Sequence, residues 1–239
     1  VSVVDSPAAL AKASDILISA VTASSALEAA KQITPFLDSR HLYADINSVS
    51  PALKQEIDGI IRSRNAVYVE VAVMSPVPPY RHRAPMLLGG NGATLFAETM
   101  SPFGMRLEVV QGQVGTAAAV KMCRSIVVKG LEALMVECVL GASHFNADGR
   151  VFASLNESFP GIDWKKLADY MISRVVIHGE RRAHEMEEVA ETLRAIGIDP
   201  IMAEATARRQ AWSVEMNLKS QFSTEGPASY REVLNAINK

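Results

Sequence analysis

The stretch GQVGTAAAVKMCRSIVVKG, residues 112–130, divides two kinds of sequence and so decides the fold. A glycine-punctuated turn opens a helical pattern, and one turn in stands Lys121, among Ala117, Ala118, Ala119, Val120, Met122 and Cys123. Upstream, short apolar runs rich in β-branched residues, DILISAV (15–21), HLYADI (41–46) and AVYVEVAV (66–73), alternate with helical patterns over 25–37 and 51–64. PMLLGG (85–90) and RLEVV (106–110) supply two further strands, with a helix near 91–101 between them. Strands alternating with helices in this way predict βαβ units and a parallel sheet covered on both faces. Downstream, residues 116–145 read as one long helix, and later helical patterns break at NADG, FPG, GIDP and TEGP. No strand is expected beyond Val110. The fold class is therefore α/β: a parallel-sheet domain over 1–112, then an all-α domain over 113–239.

Composition narrows the function. The chain has 239 residues, 49% hydrophobic and only 6% aromatic, which supports a sizeable core in an alanine-rich α/β protein. A formal net charge of −2 gives no global reason to expect nucleic acid or an anionic membrane as partner. Apolar runs such as ILISAV fall far short of the roughly 20 residues a membrane span needs. Cys123 and Cys138 lie in one helical pattern, about 22 Å apart along its axis at 1.5 Å per residue, too far to bridge. The expected compartment is the reducing cytoplasm. The histidines and cysteines show no metal-ligand spacing, so no metal is expected.

Familiar nucleotide motifs fail. VVQGQVGTAAAVK is neither G-x-G-x-x-G nor a G-x-x-x-x-G-K-[ST] phosphate loop, and no strand follows its helix. There is no G-x-S-x-G elbow, and NES at Asn156 is a chance match to a glycosylation acceptor. Two stretches are more informative. DINSVSP (45–51) closes a strand with Asn47, Ser48 and Ser50 in the turn, where open α/β sheets bind ligands. The plainer reading makes Ser50 a helix cap and Asn47 an Asx-turn. SAVTASS (19–25), with Thr22, Ser24 and Ser25, poses the same choice. In the long helix, Lys121, Arg124, Ser125, Val128, Lys129 and Glu132 share one face, and Val120, Cys123, Val127, Leu131 and Leu134 another. Periodicity alone predicts an amphipathic helix with its polar face in water. The functional alternative is that three alanines leave Lys121 partly desolvated, able to exchange protons near neutrality.

The order of these pieces resembles the β-hydroxyacid dehydrogenases, a family related to 6-phosphogluconate dehydrogenase and 3-hydroxyisobutyrate dehydrogenase. DINSVSP is similar to the family's D-x-S-T-x-x-P stretch beside the nicotinamide, with Ser48 at the threonine position. AVMSPVPP (72–79) stands where the family has P-V-S-G-G, with Ser75 the counterpart of its serine. VGTAAAVKMCRS resembles G-x-G-x-x-x-K-x-x-N-N, placing Lys121 on the catalytic lysine. KMCRS…KG and RRAHEMEEVAETL are similar to motifs of a poorly characterised, phosphogluconate dehydrogenase-like branch. The resemblance implies a partial Rossmann domain followed by a helical domain like the 6-phosphogluconate dehydrogenase C-terminal one. It implies hydride transfer between NAD or NADP and a hydroxy acid, or a related alcohol or carbonyl compound. Lys121 would be the general acid/base; Ser75, Arg124 and Ser125 would bind substrate; Val21, Thr22, Asn47, Ser48 and His184 would lie against the cofactor. A homodimer is the implied assembly.

The departures are specific. Arg124 and Ser125 replace the asparagines after the lysine, and Pro76-Val77 replaces a glycine pair, removing a backbone N–H donor. His184-Glu185 stands where the family has Lys-Asp. YRHRAP brings Arg81 and Arg83 near the proposed site, suited to a small anionic substrate if the loop is not simply solvated. The family's first βαβ unit, with its glycine fingerprint, is absent, which leads to the expectation of roughly 60–80 further N-terminal residues at 30 or more per unit. An imine reductase-like enzyme, in which that lysine is usually replaced, and a non-catalytic binding or dimerisation module are the alternatives.

Overall fold

The computed structural model describes residues 2–237. Contacts divide the chain into two compact units, one through Met122 and one from Cys123. The sequence pattern changes at 112/113; the contact boundary falls about two turns into a helix that starts at Thr116.

In the first unit, α1 (Pro7–Ala13) starts behind Ser6, whose side chain accepts from the Ala9 N–H. Then come β1 (Ile16–Ser19), α2 (Ala26–Ile33), β2 (Leu42–Asp45), α3 (Pro51–Arg62) and β3 (Val67–Val73). Ser50 caps α3: Pro51 occupies the first helical position and the Ser50 hydroxyl accepts from the Leu53 N–H at 3.2 Å. A single turn, α4 (Val77–Tyr80), precedes β4 (Met86–Gly89), α5 (Ala93–Met100) and β5 (Leu107–Val109). The five strands lie in sequence order. β1, β2 and β3 are parallel, as the pattern predicts, but β4 runs antiparallel to β3, and β5 follows β4. The parallel expectation holds for β1–β3 and for the β4–β5 pair, and the reversal between β3 and β4 is the departure from it. Between β3 and β4 the chain has only the α4 turn and a 3₁₀ turn, Arg81–Arg83, and without a crossover helix it cannot return in the same direction.

Period-two alternation sorts the sheet's side chains. Tyr43 and Tyr68 face α2 and α3, with Ala30, Ile33, Ile57 and Ile61. Leu42, Ala44, Val69 and Val71 face the other way, with Leu88 and Phe96 of α5. Covering both faces explains why all four residues of β2 are buried.

The second unit is helical: the rest of α6 (Thr116–His144), α7 (Asp148–Ser158), α8 (Trp164–Ala195), α9 (Ile201–Glu215) and α10 (Tyr230–Ile237). No strand follows Val109 among the described residues. Met135, Val136 and Val139 of α6 pack with Phe152, Met171, Ile172, Val175, Leu218 and Tyr230. α8 and α9 meet closely at Gly179, where a Cβ would stand 2.0 Å from the Ser213 Oγ.

The faces of α6 are turned opposite to the solvated-polar-face expectation. Lys129 and Glu132 are buried, while Val127 and Leu134 are 61% and 54% exposed. Partners on α8 explain the inversion: Glu185 lies 2.9 Å from Lys129, and Arg182 pairs with Glu132. No helix among the described residues is long and apolar enough to cross a membrane. No group of His, Cys, Asp or Glu side chains among them could hold a metal ion.

Candidate active site

Strand register places Ser19, Asp45, Glu70 and Gly89 in one transverse row across four strands. Asp45 and Glu70 share the parity of Tyr43 and Tyr68, so both carboxylates point to the α2/α3 face, and both are fully buried. A buried charge needs partners. For Asp45, Oδ2 receives the Lys54 ammonium at 3.0 Å and the Tyr68 hydroxyl at 3.1 Å. Its Oδ1 receives the backbone and side-chain N–H groups of Asn47, at 2.9 and 2.7 Å. Burial pulls the Lys54 ammonium below its ordinary pKa while Asp45 opposes the shift. Burial likewise raises Tyr68, and the neighbouring Asp45 charge adds to it.

Asn47 links this row to the strand ends. Its side-chain amide also donates to Ser19 Oγ at 2.9 Å, and its carbonyl accepts the Val21 N–H at 2.7 Å. At 5% exposure, Asn47 braces the loops after β1 and β2 rather than presenting its amide to a ligand. That modifies the expectation of a direct cofactor contact. Ser48, the next residue, is exposed, and its Oγ accepts from Lys121 Nζ at 2.6 Å. Val21 is 44% exposed and Thr22 is also open. The Thr22 hydroxyl donates to Ser25 Oγ at 2.9 Å. Ser75 is half-buried just beyond the end of β3. The parallel strands thus deliver Val21, Thr22, Ser48 and Ser75 to one edge of the sheet, and the hydrogen bond to Ser48 ties Lys121 to that edge.

The other predicted residues lie in the helical unit. Arg124 is exposed and Ser125 half-buried, one turn beyond Lys121 on the same continuous helix. His184 is exposed on α8. Beside it, Glu185 is occupied by Lys129 and Arg181, and those cations hold its carboxyl below the ordinary range against the effect of burial.

Glu70 escaped the sequence reading. Its carboxylate accepts the backbone N–H groups of Gly115 at 2.7 Å and Ala118 at 2.6 Å. Burial raises its pKa, and these amides, with Lys54, counter that rise. The one signal available was a carboxylate in the middle of the apolar run AVYVEVAV.

Comparisons with known proteins concern the family and the fold. A family model described as a domain of unknown function, DUF1932, matches residues 142–213. An uncharacterized 28.5 kDa protein in the 7S RNA 5′ region of Methanothermus fervidus is 32% identical over 200 residues, 82% of this chain and 75% of that protein. A conserved hypothetical protein from Sinorhizobium meliloti is 34% identical with a TM-score of 0.84, over 98% of this chain and 77% of the other. A conserved protein of unknown function, described as structurally similar to 3-hydroxyacid dehydrogenases, is 30% identical with a TM-score of 0.74, over 86% and 77% of the two chains. At 14% identity, a 3-hydroxyisobutyrate dehydrogenase from Salmonella typhimurium shares the fold alone, with a TM-score of 0.67 over 89% and 78%.

Proposed function

This chain belongs to the 3-hydroxyacid dehydrogenase-like family, and from that premise we propose that it is an NAD(P)-dependent oxidoreductase acting on a small, anionic hydroxy acid or the related carbonyl compound. The observation that carries the reading is the 2.6 Å contact between Lys121 Nζ and Ser48 Oγ, which holds an amine over the carboxyl ends of parallel strands. Ligands of open α/β sheets bind there.

The residues present fit the nicotinamide end of such a cofactor. With the Val21 N–H taken by Asn47, the side chains of Val21, Thr22 and Ser48 stand open at the sheet edge. No G-x-G-x-x-G turn occurs in residues 1–239, so these contacts concern the nicotinamide alone. When bound, the nicotinamide supplies or takes the hydride. Lys121 would take the hydroxyl proton during oxidation or return it during reduction. By helical spacing Ser125 and Arg124 share its face, to orient the substrate and meet its anionic group, with Ser75 contributing from the end of β3. Arg81 and Arg83, both exposed beyond α4, add positive charge to that loop. Lys121 disfavours the imine reductase-like alternative.

The test is turnover of a panel of 3-hydroxy acids with NAD⁺ and NADP⁺. Lys121→Met should lower kcat about 10²–10⁴-fold, the usual worth of a positioned acid/base, with little change in the cofactor KM. Turnover within threefold of the parent would remove Lys121 from the chemistry.

The same reading includes a second copy of the chain as partner. Val120, Val127, Leu131 and Leu134 form an exposed apolar stripe on α6, and its opposite side is occupied by the helical core. A self-complementary stripe suits a two-fold interface.

A further inference from the structure

α6 begins without a cap of its own. Gly115 precedes it, and the Gly115 carbonyl accepts the first helical hydrogen bond, from the Ala119 N–H at 2.9 Å. A glycine has no side chain to satisfy the free N–H groups of the first turn, where a Ser, Asp or Asn would ordinarily stand. None of these could replace it easily. Gly115 has φ +101°, and a Cβ there would approach Pro51 Cβ and O at 3.0 Å. The missing cap comes from Glu70 on β3, 45 residues away, which takes the N–H of Gly115 on one oxygen and that of Ala118 on the other. Those are the N-cap and third helical positions, the pair that a local capping box joins. Space for the carboxylate is provided by Gly89, where a Cβ would lie 2.6 Å from Glu70 Oε2.

We propose that Glu70 is a positioning residue for Lys121, its two-point grip holding the first turns of α6 in place, locally and ahead of Lys129, and so setting the direction in which the lysine points. A single hydrogen bond would leave the turn free to pivot. Two bonds to one carboxylate on a central strand set both the depth and the direction of that first turn. Ala118 lies three residues before Lys121, nearly one turn of helix, so fraying of that turn lets Lys121 leave Ser48 while the helix beyond it stays in place. The proposal concerns the same site as the proposed oxidoreductase activity and rests on that reading for its functional meaning.

The test is trace acetylation of the full-length chain with acetic anhydride, mapped by peptide mass spectrometry, in Glu70→Gln and Gly89→Ala. Glu70→Gln turns one acceptor into a donor facing an N–H. Gly89→Ala keeps the charge but displaces the carboxylate, which covers the case in which the first variant does not fold. The labelling rate of Lys121, taken relative to exposed Lys31, should rise at least threefold in both. Lys129, two turns further along α6 and paired with Glu185, should not change. An unchanged Lys121 rate would overturn the proposal. An equal rise at Lys129 would also overturn it, because it would mean that the whole helix loosens. Labelling needs no substrate, so it judges the grip even if Lys121→Met turns out to retain activity; that second result would sink the catalytic reading alone.

Discussion

His178 on α8 shows how surroundings set a side chain's charge. Burial lowers its pKa from 6.5 to about 4, and the cations Arg174, Arg181, Arg182 and Lys219 add to the effect. Between those values the unfolded chain binds a proton that the folded chain does not. The histidine's contribution to stability is therefore complete above pH 6.5 and is lost as pH falls through about 4. His178→Gln should remove that dependence: the drop in melting temperature from about pH 7 to about pH 4.5 should be smaller in the variant. An equal drop in both proteins would mean the site is not protonated on unfolding. Asp45 and Lys54 follow a different logic, since two buried charges in direct contact satisfy each other, and removing one partner typically costs about 3–5 kcal/mol. At this scale the sequence is legible where the signal is local. Ser50 before Pro51 announces its own cap. Glu70 does not, because its partners are backbone amides 45 residues away, and no residue type records them.

Helices and strands were more legible than single contacts, since periodicity survives whatever surrounds it. The limits of α6, the breaks between the later helices and the five strands all follow from pattern. The direction of β4 does not. It depends on how 74–85 turns, and a proline-rich segment reads equally as a crossover or a return. The inverted faces of α6 were hidden for a related reason, as partners on another helix decide which side is buried. Glycine positions make the same point in energy. Gly179 and Gly141 both sit inside helices, but a Cβ at 179 would collide with Ser213 Oγ at 2.0 Å and Gln210 O at 2.6 Å, whereas nothing lies within 4 Å of one at 141. Gly179→Ala should destabilise by about 1–3 kcal/mol through overpacking. Gly141→Ala should stabilise by about 0.5–1 kcal/mol through helix propensity. Chemical denaturation of the two variants reads both, and shifts of the same sign would contradict the close approach of α8 and α9.

For the whole molecule, the apolar stripe of α6 bears on assembly. If a second copy covers Val127, Leu131 and Leu134, placing a charge at the centre of the stripe should separate the copies. Light scattering of Leu131→Asp should then give the mass of one chain where the parent gives two; a parent that already runs as a single chain would end the dimer reading. The pattern of the sequence suggests dividing the molecule at 112/113, where strands give way to helices. The carboxylate of Glu70 argues otherwise. A fragment cut before Gly115 would carry the long helix away from the group that terminates its first turn, so the boundary visible in composition is not a boundary at which the chain can be cut without fraying Lys121's own helix.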